Sequence, residues 1–160
     1  MNADTVWREL DVRDIARAPL DVPAALDFVS DPAFGGIAMF VGRVRDLNHG
    51  RAVTGVSYDI FAPLALATFA AICEEARAQW GPRLRVHVSH AHGRLGIGDI
   101  AVVVAVGAPH RDEAFQACRH VIEAVKHRAP IWKREHYADG DSAWSQGCAL
   151  CGRDGAEAAA

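Results

Sequence analysis

Apolar and polar positions follow two periods along this chain, and the changes between them mark out strands and helices. Residues 35–45, 52–61, 84–89 and 100–106 are rich in β-branched, aromatic and other apolar side chains, which predicts four strands. Apolar positions three and four residues apart predict two long helices, over residues 63–80 and 111–128. The segment 100–106 is almost continuously apolar, so we expect it at the centre of a sheet.

Shorter signals complete this outline. Weak alternation over residues 6–12 predicts an edge strand, and residues 131–136 form a short strand after the second long helix. Asp21, followed by Pro23, is typical of a helix start and predicts a helix over residues 23–29. The polar turn 46–51 suggests that the first two strands form a hairpin. The predicted core positions of the long helices are Leu66, Phe69, Ala70, Cys73 and Ala76 in the first, and Phe115, Cys118, Ile122 and Val125 in the second.

The order of the elements is strands, helix, strands, helix, strand. This order favours an α+β fold over a doubly wound parallel sheet. We expect a two-layer domain with two long helices and an antiparallel or mixed sheet. Residues 1–147 are assigned to this single domain. Residues 152–160 lack an apolar face, and we predict that residues 148–160 form a disordered tail.

The overall composition argues against several classes of protein. Of 160 residues, 51% are hydrophobic and 23% charged, and the net charge is −3, as in ordinary globular domains. Scattered arginines in a mildly acidic chain do not favour a nucleic-acid partner. Charges between Arg8 and Arg17 interrupt any secretion signal, and the uncharged stretch 60–73 is too short to span a bilayer. We therefore expect a cytoplasmic protein without a membrane partner.

Lysine is rare in this chain, because the 17 basic residues are 15 arginines and two lysines, Lys126 and Lys133. Two explanations stay open: chance in an arginine-rich composition, or a need for a compact, titratable amine. Lys126 falls in the last turn of a predicted helix, where any cation is favourable. Lys133 has no such reason, and strand alternation places it on one face with Glu135. The two form either a positioned amine–carboxylate pair or an ordinary surface ion pair.

Two other groups of cations stand at the ends of predicted elements. Alternation along the first strand places five side chains on one face, namely Ile37, Met39, Val41, Arg43 and Arg45. A pair of guanidinium groups suits phosphate or carboxylate recognition, although strand-end charges in solvent are also common. His110 and Arg111 begin the second long helix, where backbone N–H groups favour an anion. A solvated first turn accounts for them equally well.

Histidine and cysteine positions give weaker signals. His87, His90 and His92 resemble a metal-binding run, but no nearby carboxylate or cysteine completes a ligand set. We therefore expect no metal site. Cys148 and Cys151 form a C-x-x-C pair without further zinc ligands or the context of a redox dithiol, and we expect both to be dispensable.

Three motifs occur in order along the chain. They are Phe40-Val41-Gly42-Arg43-Val44-Arg45-Asp46-x-Asn48, then Ala108-x-His110-Arg111-x-x-Ala114-Phe115, then Lys126-x-Arg128-Ala129-Pro130-Ile131-Trp132-Lys133-Arg134-Glu135. Together they resemble the catalytic large subunit of molybdopterin synthase, over about residues 35–140. The stretch after Glu135 departs from that family's usual pattern, so any family contacts there stay undecided.

The resemblance implies a fold, a reaction and partners. The family's fold is an α/β-hammerhead, and its members are sulfurtransferases of molybdenum cofactor biosynthesis. They convert cyclic pyranopterin monophosphate to molybdopterin by installing the two dithiolene sulfurs. The donor is the thiocarboxylated Gly-Gly terminus of a small ubiquitin-like sulfur-carrier subunit, and no cofactor is implied. A homodimer of large subunits binds two small ones, which gives a heterotetramer.

The matching motifs also imply site residues. Substrate-binding positions fall on Arg43, Val44, Arg45, His110, Arg111, Lys126, Lys133, Arg134 and Glu135. Lys126 and Lys133 are the expected catalytic residues, which position the thiocarboxylate and stabilise or protonate the displaced oxygens. Covalent participation of Lys126 is left open by the sequence.

Two other functions fit the same residues. One is a lysine Schiff-base lyase acting on a phosphorylated carbonyl compound, with Lys126 or Lys133 as the amine. The other is a non-catalytic scaffold subunit whose cations bind the acidic tail of a partner.

Overall fold

The computed structural model describes residues 6–146, which form eight strands and three helices. In chain order these are β1 (Arg8–Asp14), α1 (Val22–Phe28), β2 (Gly36–Arg43), β3 (Leu47–Asn48), β4 (Arg51–Ile60), α2 (Ala62–Trp80), β5 (Arg85–Gly96), β6 (Ile100–Ala108), α3 (Arg111–Arg128), β7 (Ile131–Tyr137) and β8 (Ser142–Gln146).

The predicted helices are confirmed to within one residue at each end. Asp21 caps α1, because its Oδ1 accepts a hydrogen bond from the Ala24 amide at 2.9 Å. Helix α2 carries Pro63 in its first turn and stops at Gly81, whose φ of 106° is accessible to glycine. Helix α3 has acidic residues in its first turn and basic ones in its last, which complements the helix dipole. Within residues 6–146, none of the helices is long and apolar enough to cross a membrane.

A single sheet runs in the order β2-β6-β5-β4-β7-β8, with every neighbouring pair antiparallel. Strand β1 is parallel to β5 and has no second partner among the described strands, so its predicted edge position is confirmed. Strand β6 lies between β2 and β5, and residues 101–108 are all buried. The central position expected for this strand is therefore also confirmed.

The predicted hairpin between the first two long strands is wrong. Strand β2 pairs with β6, and β4 lies between β5 and β7. The reason lies in the polar turn, where Leu47 and Asn48 fold back on the start of β4 as the short strand β3. Its tight turn uses positive φ angles at His49 (48°) and Gly50 (75°). The chain thus turns away from β2 before β4 begins.

The second half of the sheet also differs from the sequence prediction in two places. Strand β5 continues to Gly96, beyond the predicted strand 84–89, and its last residues pair with β4. Strand β8 was not predicted, and it pairs with β7 along its whole length.

The layers agree with the α+β prediction. Helices α2 and α3 pack together on one face of the sheet around Phe69, Val104 and Val121, and the shorter α1 covers part of the other face. The predicted core position Phe115 is wrong, since this side chain is 67% exposed. The start of α3 lies so close to β2 that a Cβ on Gly36 would stand 3.0 Å from the Arg111 Cα. Small alanines such as Ala114 therefore face the sheet, and the phenylalanine faces outward.

Candidate functional site

A cavity of about 430 Å³ opens between strands β2, β4, β5, β6 and β7 and the last turns of α3. Apolar side chains form much of its wall, including Phe40, Val102, Ile122, Val125 and Ile131. Its polar side chains are Arg43, Arg45, Tyr58, His90, Lys126 and Lys133. Both lysines of the chain therefore line one cavity.

A short buried connection sets the positions of the two lysines. Lys126 is in the last turn of α3 and Lys133 is the third residue of β7, with buried Ala129 and Pro130 between the two elements. Strand alternation places Lys133 on the inward face with Ile131, which is 5% exposed. The predicted shared face of Lys133 and Glu135 is confirmed, because Lys133 Nζ lies 3.0 Å from Glu135 Oε1.

This ion pair is held well away from bulk solvent, with side-chain exposures of 18% for Lys133 and 6% for Glu135. The second carboxylate oxygen, Oε2, accepts hydrogen bonds from the Tyr137 hydroxyl at 2.7 Å and from the Asn48 amide. Burial alone raises the pKa of Glu135, but the hydrogen bonds from Tyr137, Lys133 and Asn48 together lower it below its ordinary value. The carboxylate is therefore ionised at neutral pH.

The two arginines, Arg43 and Arg45, lie at the mouth of the cavity. Simple strand alternation does not account for their placement there. A bulge between Gly42 and Arg43 breaks the alternation at the end of β2, and Arg45 follows the strand. Arg43 is oriented by a hydrogen bond from its Nε to the Gly98 carbonyl at 2.9 Å. Both guanidinium groups nevertheless line the cavity.

The other side chains of the expected β2 face do not form a buried row. Ile37 is 39% exposed, whereas Met39 packs against the core on the α1 side. Val44 is buried and contributes backbone pairing, because its amide donates to the Asp99 carbonyl at 3.0 Å.

Two aromatic residues of the cavity were missed as site residues by the sequence argument. Tyr58 lies opposite Lys133 in the β4–β7 register, and its ring meets that of His90 edge to face, with 4.8 Å between centroids. His90 is buried, and its Nδ1 donates to the Ala91 carbonyl at 2.9 Å, which leaves Nε2 as the acceptor of the neutral ring. The pKa of His90 is lowered to about 4, mainly by burial; the hydrogen bond to the Ala91 carbonyl opposes this shift, and the charge of Lys126 adds to it.

Three predicted site residues lie away from the cavity. His110 and Arg111 are exposed at the start of α3. Lys126 comes fifteen positions after Arg111 along the helix, which is about 22 Å along the axis. Arg134 is on the opposite face of β7 from Lys133, where its guanidinium donates to the Ser142 hydroxyl at 2.9 and 2.6 Å. Within a single chain, His110, Arg111 and Arg134 therefore do not lie in the cavity that contains Lys126 and Lys133.

The three histidines of the apparent metal-binding run have separate surroundings. His87 contacts Glu9 at 2.8 Å and Ser89 at 3.0 Å, whereas His92 Nε2 lies 3.5 Å from Asp59. Over residues 6–146, no three histidine, cysteine, aspartate or glutamate side chains come together in a way that would hold a metal ion. Cys148 and Cys151 lie outside the described residues.

The arrangement suits an anionic reactant. Four cationic side chains, Arg43, Arg45, Lys126 and Lys133, line one partly apolar cavity. His90 in its wall is neutral at pH 7, because its pKa is about 4. In such a site, ammonium groups stabilise negative charge that develops during acyl or group transfer more strongly than they would in water. The lysines can also donate protons to a reacting group.

Comparisons with known proteins give one consistent result. Residues 15–128 match the family model described as MoaE protein. A curated relative from Synechococcus elongatus, "Molybdopterin synthase catalytic subunit", is 50% identical over 138 residues, covering 86% of this chain and 84% of the relative.

Solved structures agree with the sequence match. The molybdopterin synthase structure from Staphylococcus aureus superposes with a TM-score of 0.77 at 31% identity, covering 86% of this chain and 95% of that one. A structure from Helicobacter pylori, titled as a complex of subunits 1 and 2 of molybdopterin-converting factor, has a TM-score of 0.65 at 22% identity and covers 89% of this chain and 90% of its own.

Proposed function

Because the chain belongs to the MoaE family and acts in molybdenum cofactor biosynthesis, we propose that its cavity is where sulfur passes from a carrier's thiocarboxylate to a cyclic pterin phosphate. The product is the dithiolene of molybdopterin. The observation that carries this proposal is the meeting of Lys126, Lys133, Arg43 and Arg45 around one cavity. A thiocarboxylate tail and a cyclic phosphate are both anions, and this is the cationic part of an otherwise acidic chain.

The residues divide between binding and chemistry. Arg43 and Arg45 at the mouth suit forked contacts with phosphate oxygens. Lys126 and Lys133 lie deeper, where their ammonium groups hold the thiocarboxylate and protonate or stabilise the oxygens that sulfur replaces. The partner is a small sulfur-carrier subunit whose Gly-Gly tail is narrow enough to enter beside them. In support, the Helicobacter pylori structure with this fold is a complex of two different subunits.

A second copy of the chain completes the site in this proposal. Strand β2 is the last strand at one end of the sheet, and its residues Ile37 and Phe40 are 39% and 38% exposed. Its Gly36 end lies beside Arg111, and its Arg43 end lies at the cavity. If two β2 strands paired antiparallel about a twofold axis, the His110 and Arg111 of one copy would approach the cavity of the other.

The decisive assay combines this protein with a thiocarboxylated carrier and cyclic pyranopterin monophosphate and measures dithiolene product. Lys126→Ala and Lys133→Ala should abolish product. Lys126→Arg and Lys133→Arg, which keep the charge but remove the amine, should each lose most of the activity. Full activity of both arginine variants would exclude lysine chemistry, and trapping of the pterin by borohydride without any carrier would favour a Schiff-base lyase.

The contribution of a second copy has its own test. Copies carrying Lys133→Ala and copies carrying Arg111→Ala are mixed after dissociation. If Arg111 acts on the neighbouring cavity, mixed dimers hold one intact site, and equal mixing restores about a quarter of wild-type activity. If Arg111→Ala alone is inactive and mixing gives no recovery, Arg111 acts within its own chain. If Arg111→Ala alone is active, Arg111 takes no part in the reaction.

A further inference from the structure

We propose that Asn48 and Tyr137 are positioning residues of this site, which act on Lys133 by fixing the carboxylate of Glu135. The proposal rests on the proposed function, since it assumes that Lys133 handles the reacting groups. It assigns a task to two side chains that do not line the cavity themselves.

The contacts of Glu135 account for both of its oxygens. Oε1 faces Lys133 Nζ at 3.0 Å. Oε2 receives the Tyr137 hydroxyl at 2.7 Å and the Asn48 amide. The Asn48 amide also lies 3.2 Å from the Tyr137 hydroxyl, so the three side chains form a closed group. A carboxylate held by donors on both oxygens has little freedom to rotate.

The β3–β4 hairpin supplies one donor and supports the other. Asn48 is 6% exposed, directly before the tight turn at His49 and Gly50. Its hairpin partner Arg51 stacks over the Tyr137 ring at 3.7 Å. Arg51 is itself tied to Asp139 at 2.8 Å and to Asp141 at 3.0 Å. Tyr137 is thus held at its ring and at its hydroxyl.

This arrangement determines where the ammonium of Lys133 points. An ammonium has three hydrogens, and one directed at Glu135 leaves the others for an anion in the cavity. A lysine side chain without such a partner samples many rotamers. With the carboxylate fixed, Lys133 is held in one orientation before the donor tail arrives, which is the preorganisation that group transfer needs.

The same contacts set the charge of the carboxylate. The groups that face Glu135 are Lys133 and Tyr137 on β7 and Asn48 on β3, while Val56 on β4 and Ala143 on β8 lie opposite it in register. Burial raises its pKa and the donors lower it by more. Removing a donor therefore moves the pKa upward, and the carboxylate protonates at a higher pH than in the wild type.

The test uses Tyr137→Phe, which removes one hydroxyl and keeps the ring that Arg51 covers. Thr54→Val is the matched control. It removes a β4 hydroxyl that donates to the His136 carbonyl of β7, 3.2 Å away, and that does not contact Glu135. Product formation by the assembled synthase is measured from pH 4 to 8, a range that extends below the ordinary glutamate pKa of 4.5. We expect Tyr137→Phe to lower kcat about fivefold with little change in KM for the pterin, the effect of one lost hydrogen bond. Its acid limb should move to higher pH, and Thr54→Val should leave the profile unchanged.

A second measurement separates this inference from the proposed function. The side-chain carbon of Glu135 is titrated by NMR in wild type, Tyr137→Phe and Asn48→Ala, without substrate or carrier. Both variants should raise the midpoint above that of the wild type. An unchanged midpoint and an unchanged profile would overturn the positioning role. A raised midpoint in a protein that makes no product from carrier and pterin would instead overturn the proposed function.

Discussion

Acidification should weaken the folded state through His90, which forms part of the cavity wall. The imidazole is 6% exposed and has a folded pKa of about 4 against an ordinary value of 6.5. A histidine whose pKa is lowered by folding binds fewer protons in the folded chain than in the unfolded one. Its contribution is therefore fully present above pH 6.5 and is lost progressively as the pH falls towards 4.

The size of this effect follows from the two pKa values. Between pH 7 and pH 5, protonation of the unfolded side chain lowers the free energy of unfolding by about 2 kcal/mol. A decrease of about 2 kcal/mol is a large part of the unfolding free energy of a typical domain. His90→Asn removes the titration, and the shorter amide can still donate to the Ala91 carbonyl that Nδ1 reaches at 2.9 Å.

The assay is urea unfolding followed by circular dichroism at fixed protein concentration, at half-unit steps from pH 7 to pH 5. Wild type should lose about 2 kcal/mol more over this range than His90→Asn does. The same substitution at exposed His49, where asparagine also tolerates the φ of 48°, is the control. Parallel pH curves for wild type and His90→Asn would refute the reasoning, because the buried ring would then titrate alike in both states.

Three further predictions concern packing, capping and thiol reactivity. Gly107→Ala should destabilise the fold by about 3 kcal/mol, measured by urea unfolding, because its Cβ would stand 2.0 Å from the Val29 carbonyl oxygen; a change below the error of the experiment would contradict this packing. Asp21→Ala should cost about 1 kcal/mol by removing the cap of α1, whereas Asp21→Ser should restore most of it. Burial raises the pKa of Cys73 to about 12 and that of Cys118 to about 11. Peptide mapping after iodoacetamide treatment at pH 8 should therefore find both thiols unmodified. Labelling of either thiol in the native protein would show that its burial is transient.

Local patterns along the chain were sufficient for the helices and for the central strand. Helix α3 was predictable because its apolar spacing, its acidic first turn and its basic last turn agree. Strand β6 was predictable because both of its faces are covered, which leaves a continuous apolar run.

Strand pairing was not predictable from the same patterns. Residues 46–51 have the polar character of any hairpin turn, and nothing local distinguishes a turn between β2 and β4 from the smaller β3–β4 hairpin. The core position of Phe115 was wrong for a related reason. The helical period allows either Ala114 or Phe115 to face the sheet, and the close approach of α3 to Gly36 selects the smaller alanine. These outcomes depend on contacts between residues distant in sequence.

The site divides in the same way. Lys133 and Glu135 follow from alternation within one strand, and their ion pair is confirmed. Asn48 and Tyr58 were not identified as site residues, because each reaches the lysine region only through tertiary folding. His90 was noticed only as part of the histidine run. Its packing against the Tyr58 ring, which distinguishes it from a metal ligand, depends on the tertiary fold.

The buried link between α3 and β7 makes the spacing of the two lysines intolerant of length changes. Ala129 is 2% exposed, and its amide closes the last turn of the helix on the Val125 carbonyl at 3.1 Å. An extra residue there would reverse the facing of every side chain in β7, so that Lys133 would point to solvent and Trp132 into the cavity. Insertions for labelling or for fusing domains therefore belong outside the link between α3 and β7, where added length does not reverse this strand.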